Sequence, residues 1–303
     1  MRYLILLVLG IVIAVLSYQN KQHHTKLNPL SSRFLHPFDD RIRYRIADVD
    51  PRFGLTQEQV NKLTEEAIQI WTLGTGKQHF VYDDHARLTV HLVYDERQYQ
   101  TEQRKKHIAK IEQEQKIWSQ KKSQVDQVSQ NLEQSKLILD AKKTQLDALI
   151  NQYNEYIGQL NRLGGANPQL HQQLELQAQF LDQQVQQIQI EIEQYNFNIL
   201  RLNAQVDELN QLNHVIDTSV KQFKHNFQPR LFDKGMFNGK SIYIYEFESI
   251  DDLRVTLAHE FGHALGLKHH DTPEALMYPM LENQQLENFR LHPADLALLA
   301  NRP

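Results

Sequence analysis

The 303-residue chain has no cysteine. That absence excludes a disulfide scaffold, an iron–sulfur cluster, a thiolate metal site and a cysteine nucleophile. Eleven glycines and nine prolines are too few for a collagen-like or proline-rich chain. Nor is there a basic excess. Lys and Arg number 33 against 37 Asp and Glu, a formal charge of −4, so no nucleic-acid partner is expected. No apolar run reaches the roughly 18 to 20 residues of a comfortable membrane span. What is present, 41% hydrophobic and 23% charged residues, suffices for a buried core and for two domains.

Arg2 precedes an unbroken apolar run from Leu4 to Leu16, with Tyr3, Ser17 and Tyr18 at its ends. One early cation followed by about 13 apolar residues has the form of a secretory signal. The tyrosines stand where a membrane interface would hold them. No Ala-x-Ala cleavage site follows. Residues 1–18 are therefore expected to be a signal peptide or an N-terminal membrane anchor, and residues 19–35 a linker. Either way the remainder is expected to be extracytoplasmic, secreted or membrane-anchored.

Residues 36–95 read as mixed α/β. Arg41 to Ile46 alternates charged and apolar side chains, as a half-buried strand does. Thr56 and Gln59 form a capping-box signature, and Val60, Leu63, Ala67, Ile70 and Trp71 follow at helical spacing until Gly74 and Gly76. Leu88 to Tyr94 alternates again. From Glu96 the texture changes. Ile111, Trp118, Val125, Leu132, Leu139, Leu146, Tyr153 and Leu160 recur every seven residues. After Gly164-Gly165 and Pro168, the period restarts at Leu174 and runs to Phe223, interleaved by a second column from Ala178 to Val220. This predicts a long antiparallel coiled-coil hairpin over residues 96–226, with arms of roughly 85 to 95 Å. The α/β texture returns in residues 227–303, with a strand over residues 240–247, a helix beginning at Ser249-Ile250-Asp251-Asp252 with a capping carboxylate, and a last helix near residues 293–300. Asp295 is expected to be that helix's N-terminal charge.

The chemistry concentrates in His259-Glu260-Phe261-Gly262-His263-Ala264-Leu265-Gly266-Leu267-Lys268-His269. On a helix, His259 and His263 share a face and can reach one ion, while Glu260 stands beside it without ligating. Gly266 permits a left-handed turn that returns His269 as a third ligand. Three neutral imidazoles leave a fourth tetrahedral position open, as catalytic zinc requires. Copper, nickel or cobalt could occupy such a site in vitro.

This motif resembles that of the metzincin metalloproteases, and among them the matrixins. Ala275-Leu276-Met277-Tyr278-Pro279 looks like the matrixin Met-turn, in which Met277 would underlie the metal. Upstream, Tyr44-Arg45-Ile46, Asp50 to Leu55 and Ile70-Trp71 look like the opening of a matrixin catalytic domain. The resemblance covers residues 36–95 and 227–300. It implies an α+β fold, a twisted mixed sheet with two to three helices, here interrupted by the hairpin. It also implies zinc (Zn2+) at His259, His263 and His269, Glu260 as general base, and a cleft along an edge strand at about Ser241 to Phe247. Departures are visible too. The pro-segment cysteine of matrixins has no counterpart, so latency must arise elsewhere. His270 stands where Ser is usual, and Pro279-Met280-Leu281 lacks the tyrosine of the specificity-pocket wall. The hairpin takes the place of the structural zinc and calcium ligands, so no such ions are assigned.

The expected function is thus that of a zinc metalloendopeptidase, hydrolysing peptide bonds of a protein or peptide substrate by zinc-activated water. The hairpin would be a recognition or docking arm for a protein partner, and the N-terminal segment an anchor in the membrane. The competing expectation is an extracytoplasmic coiled-coil scaffold that binds partners and keeps a vestigial or regulatory zinc site.

Overall fold

The computed structural model describes residues 26–281 and 284–301, together with Gly10 and Ile13. The apolar run expected to direct export otherwise lies outside the described residues. Among those described, no helix is long and apolar enough to cross a membrane. The chain divides into two compact units: one comprises the chain up to Lys105 and from Pro229 onward, the other Lys106–Gln228.

The first unit is built on five strands: β1 (Ile42–Val49), β2 (Phe80–Tyr82), β3 (Leu88–Leu92), β4 (Gly235–Phe237) and β5 (Ser241–Ile244). Their order is β2-β1-β3-β5-β4, all parallel except the antiparallel β4. Alternation decides which face is covered. Ile42, Tyr44, Ile46, Leu88, Val90, Leu92, Ile242 and Ile244 are all buried, and they share a core with helices α2 (Gln57–Thr75) and α5 (Ile250–Ala264). Each such side chain, moved from water into that core, contributes about 1.5–3 kcal/mol before entropy is charged against it.

One expectation is corrected by this topology. Residues 241–247 were expected to form the edge of the sheet beside the cleft, but β5 is interior, with β3 on one side and β4 on the other. The edge on that side of the sheet is Gly235–Phe237. Met236 pairs with Tyr243 and Phe237 with Ile242, so this short strand exists through its neighbour rather than through any pattern of its own.

Local chemistry explains the helix ends. Thr56 and Gln59 close a reciprocal capping box on α2, and Gly76, at φ 68°, ends the helix in the left-handed region. At the start of α5 it is the Ser249 hydroxyl that accepts from Asp252 N–H, while the expected capping carboxylate, Asp252, instead accepts from the Glu248 N–H at 2.7 Å. The two core helices are pinned by Trp71, whose indole N–H donates to the Ala258 carbonyl at 2.8 Å. The stretch expected to be linker holds helix α1 (Leu30–Leu35), preceded by Asn28, which is buried and bonds both the Arg41 carbonyl and the Arg43 amide at 2.8 Å.

Two long helices, α3 (Glu96–Arg162) and α4 (Pro168–Asn226), supply the second unit. Gly164 and Gly165, at φ 103° and 98°, make the turn between them, and Asn167 caps α4 by accepting from Leu170 N–H. Lys121 pairs with Glu208, Lys142 with Glu191 at 2.8 Å, and the Tyr153 hydroxyl donates to the Leu174 carbonyl at 3.2 Å. Partner numbers fall on α4 as they rise on α3. Leu132, Leu146, Leu174, Leu181 and Ile216 are the buried apolar residues here.

The first turns of α3 belong to the α/β unit. Gln98 is buried and accepts from the Phe247 N–H at 3.0 Å, Arg97 lies 3.6 Å over the Tyr245 ring and donates to the Asp233 carbonyl, and Arg104 pairs with Glu248.

Candidate active site

Helix α5 carries His259 and His263 one turn apart, with ring centroids 4.8 Å from each other. The helix ends at Leu265, and Gly266, at φ 88°, reverses the chain. Leu267 N–H donates back to the Gly262 carbonyl and Gly266 N–H to that of His263. The reversal delivers His269, whose ring centroid lies 5.3 Å from His259 and 4.9 Å from His263. One nitrogen from each of the three lies within 4.8 Å of the others, close enough to hold one metal ion.

Tautomers follow from the outer contacts. His259 Nδ1 lies 2.6 Å from the Leu276 carbonyl and His263 Nδ1 2.9 Å from that of Leu267. A carbonyl only accepts, so both Nδ1 atoms carry the proton and both Nε2 atoms keep a lone pair for the site. His259 Nε2 stands 3.3 Å from His269 Nε2. Burial, and then the neighbouring His263, pushes the His259 pKa down to about 3, and burial lowers that of His263. Both are therefore neutral near pH 7. Neutral imidazoles with converging lone pairs are the donor set that zinc takes.

Glu260 follows His259 on α5 and is buried. Burial raises its carboxyl pKa to about 8, the Phe237 backbone N–H opposes that rise, and Asp233 adds to it. Its Oε2 is shielded from solvent and has no hydrogen-bond partner among the described residues. Strand β4 passes directly over it. A Cβ on Gly235 would stand 2.8 Å from Glu260 Oε1 and 2.9 Å from its Cγ, so only glycine fits. Gly235→Ala is expected to shift Glu260 and lower kcat by about ten-fold or more, since sub-ångström misplacement of a reacting group is costly. Steady-state kinetics alongside metal analysis, with metal content unchanged, checks this.

The turn at Met277 packs against α5. Met277 is fully buried, and a Cβ on Gly262 would collide with its sulfur and lie 2.8 Å from Trp71. His270 is outside the triad: its Nδ1 accepts from Thr272 N–H, and its own N–H donates to the Met277 carbonyl at 2.8 Å. That bond ties the loop after His269 to the Met277 turn.

Asp295, on helix α6 (Pro293–Ala300), does more than the helix-terminal role read for it. It is fully buried and accepts from three backbone donors, Leu276 and Met277 at 2.9 Å and His292 at 3.0 Å. Lys234 is a residue the sequence did not single out. It lies 2.6 Å from Asp252 and 3.5 Å from Glu246, both buried carboxylates, and so fastens the start of β4 to the start of α5. Neither position belongs to a motif; each acquires its role through a partner distant in sequence.

The matrixin family model matches residues 168–301, a span that includes α4 as well as the histidine segment. Short stretches are similar to matrilysin of Felis catus, 47% identical over 38 residues, and to matrix metalloproteinase-19 of Homo sapiens, 50% identical over 46 residues. A third, matrix metalloproteinase-9 of Canis lupus familiaris, is 71% identical over 28 residues. These stretches cover 12%, 15% and 9% of this chain and 14%, 9% and 4% of the respective relatives, so the similarity spans a small part of each curated protein. The family match and these short stretches support a matrixin-like metalloprotease domain in this chain.

Proposed function

We propose that the protein is a zinc-dependent endopeptidase in which His259, His263 and His269 hold the metal, Met277 underlies it and Glu260 is the general base. The observation that carries this reading is the convergence of one nitrogen from each of His259, His263 and His269, with the buried Glu260, one of whose oxygens has no hydrogen-bond partner among the described residues, following His259 on the same helix. Zinc bound there supplies a Lewis acid that polarises a carbonyl and lowers the pKa of water. The protein's own groups do the rest. Glu260 takes a proton from the attacking water, holds it at its carboxylate, and returns it to the departing amine nitrogen. The free edge of β4 offers backbone groups that can pair with an extended peptide.

Incubation of the purified protein with a diverse peptide library, with and without a zinc chelator, tests the reading. Cleavage that stops with the chelator and returns on adding zinc is expected; cleavage indifferent to the chelator contradicts it.

We assign residues 36–95 and 227–303 to the catalytic domain, residues 96–226 to a coiled-coil hairpin acting as a docking arm for a protein substrate or partner, and residues 1–18 to export or anchoring outside the cytoplasm. Because Arg97, Gln98 and Arg104 contact residues 233–248, the arm is best removed as residues 106–228. That deletion, closed by a short linker, is expected to keep peptide cleavage and to lose at least about ten-fold of kcat/KM on the natural target. Equal loss on both would show that the arm is needed for folding rather than docking.

A further inference from the structure

Strand β4 is three residues long and paired on one side only, yet it is the element that covers Glu260. Gly235 stands over the carboxylate, and the Phe237 N–H, two residues on, reaches it. A strand this short sits at the lower limit of strand length, and its ladder to β5 ends with the pair Phe237–Ile242. Its placement is therefore decided at its two ends. The far end is tied by a tight turn. Asn238 N–H donates to the Ser241 carbonyl at 3.1 Å, and the Asn238 side-chain oxygen accepts from the Lys240 and Ser241 amides. Gly239, at φ 90°, supplies the left-handed residue that the turn needs.

The near end has no such turn, and residues 227–234 belong to no helix or strand. Lys234 ties it to the neighbouring elements, through its carbonyl to the Tyr245 N–H at 2.8 Å and through its ammonium to Asp252. The remaining tie comes from outside the sheet: Arg97, the second residue of α3, donates from Nη1 to the Asp233 carbonyl at 3.0 Å. Arg97 is itself held on two other sides. Its Nε and Nη2 donate to the Asp95 carboxylate at 3.0 and 2.6 Å, and its guanidinium carbon lies 3.6 Å from the centre of the Tyr245 ring. With two nitrogens committed and the plane stacked, the third nitrogen is aimed at Asp233. A carboxylate, a ring and a carbonyl met at once is a geometry that arginine offers and lysine does not. The next contacts of the same root, Gln98 with Phe247 and Arg104 with Glu248, fall on residues beyond β5.

We propose that Arg97 is a positioning residue of the active site: it holds the entry of β4 at Asp233, and through Gly235, two residues on, it sets how closely that strand covers Glu260 and presents its free edge to a peptide. The root of the hairpin thereby contributes to the site itself. The inference rests on the reading of Glu260 as general base of a peptidase.

Hydrogen exchange followed by mass spectrometry on the full-length chain reads the strand directly, whatever its chemistry. Arg97→Ala is expected to speed exchange in the peptide covering residues 233–238 by about ten-fold and to leave β1, β3 and α5 at wild-type rates. Arg104→Ala, whose partner is Glu248, should leave residues 233–238 as in the wild type. In the zinc-loaded protein, Arg97→Ala should lower kcat per bound zinc by about ten-fold or more and raise KM, at unchanged zinc affinity. A merely destabilised protein would lose active molecules without any change in KM. Arg97→Lys keeps the charge but not the fork; it should give the same pattern, and it is read where Arg97→Ala fails to fold. Unchanged exchange at residues 233–238, or kcat and KM at wild-type values, overturns the proposal. A wild type that cleaves no peptide brings down the peptidase reading and the catalytic half of this inference with it, while accelerated exchange in Arg97→Ala still supports the hold on β4, so the two failures are told apart.

Discussion

Glu260→Gln is expected to lower kcat by about 10²- to 10⁴-fold, the range set by loss of a positioned general base. Gln has the same shape and can still accept from the Phe237 N–H, so the fold and the metal content should remain near wild type. What disappears is the ability to take a proton. The environment makes this the largest functional effect in the chain. Burial raises the carboxyl pKa of the metal-free chain, so the group holds a proton more readily than a solvated glutamate does. A Glu260→Gln protein that binds zinc and cleaves peptides at the wild-type rate would remove Glu260 from the mechanism.

Asp295→Ala carries the largest expected cost in stability. Three backbone N–H groups, those of Leu276, Met277 and His292, donate to this one buried carboxylate. Each orphaned buried donor costs about 1–3 kcal/mol, so the loss should total roughly 3–9 kcal/mol. Asp295→Asn should fall between, because one carboxamide oxygen can serve part of the set while its NH2 opposes the rest. The damage should reach the metal as well. The Leu276 carbonyl fixes the His259 ring, and the N–H of the same residue is held by Asp295. Loosening an outer contact of a metal ligand commonly costs about 10- to 100-fold in affinity. Urea denaturation gives the first quantity and competitive zinc titration the second. If Asp295→Ala unfolded within about 1 kcal/mol of wild type, the three bonds would not be holding the Met277 turn.

These two residues also show where sequence reading succeeds and where it stops. Glu260 and the histidines lie within eleven consecutive positions, and a helix followed by a left-handed glycine converts that spacing directly into proximity. Helix α2 was legible for a similar reason, since its capping box and its apolar positions are both local. Asp295 looked like a helix-terminal charge because its further partners lie 18 and 19 residues away, in a loop whose path no local rule specifies. Strand β4 was missed, and β5 taken for the edge, because Gly235-Met236-Phe237 is too short to alternate. Its identity comes from pairing with Tyr243 and Ile242. Glycines were informative in one direction only: Gly266 announced a reversal, but that Gly235 makes room for Glu260 depends on which strand lies overhead.

The account's central claim is that one ion sits where three imidazoles meet. Diffraction from zinc-loaded crystals at the zinc absorption edge tests it most directly. A single anomalous peak about 2.0–2.1 Å from one nitrogen of each of His259, His263 and His269, with Glu260 adjacent but not bonded, is the predicted result. A peak that His269 does not reach, or one that takes Glu260 as a ligand in its place, would contradict it.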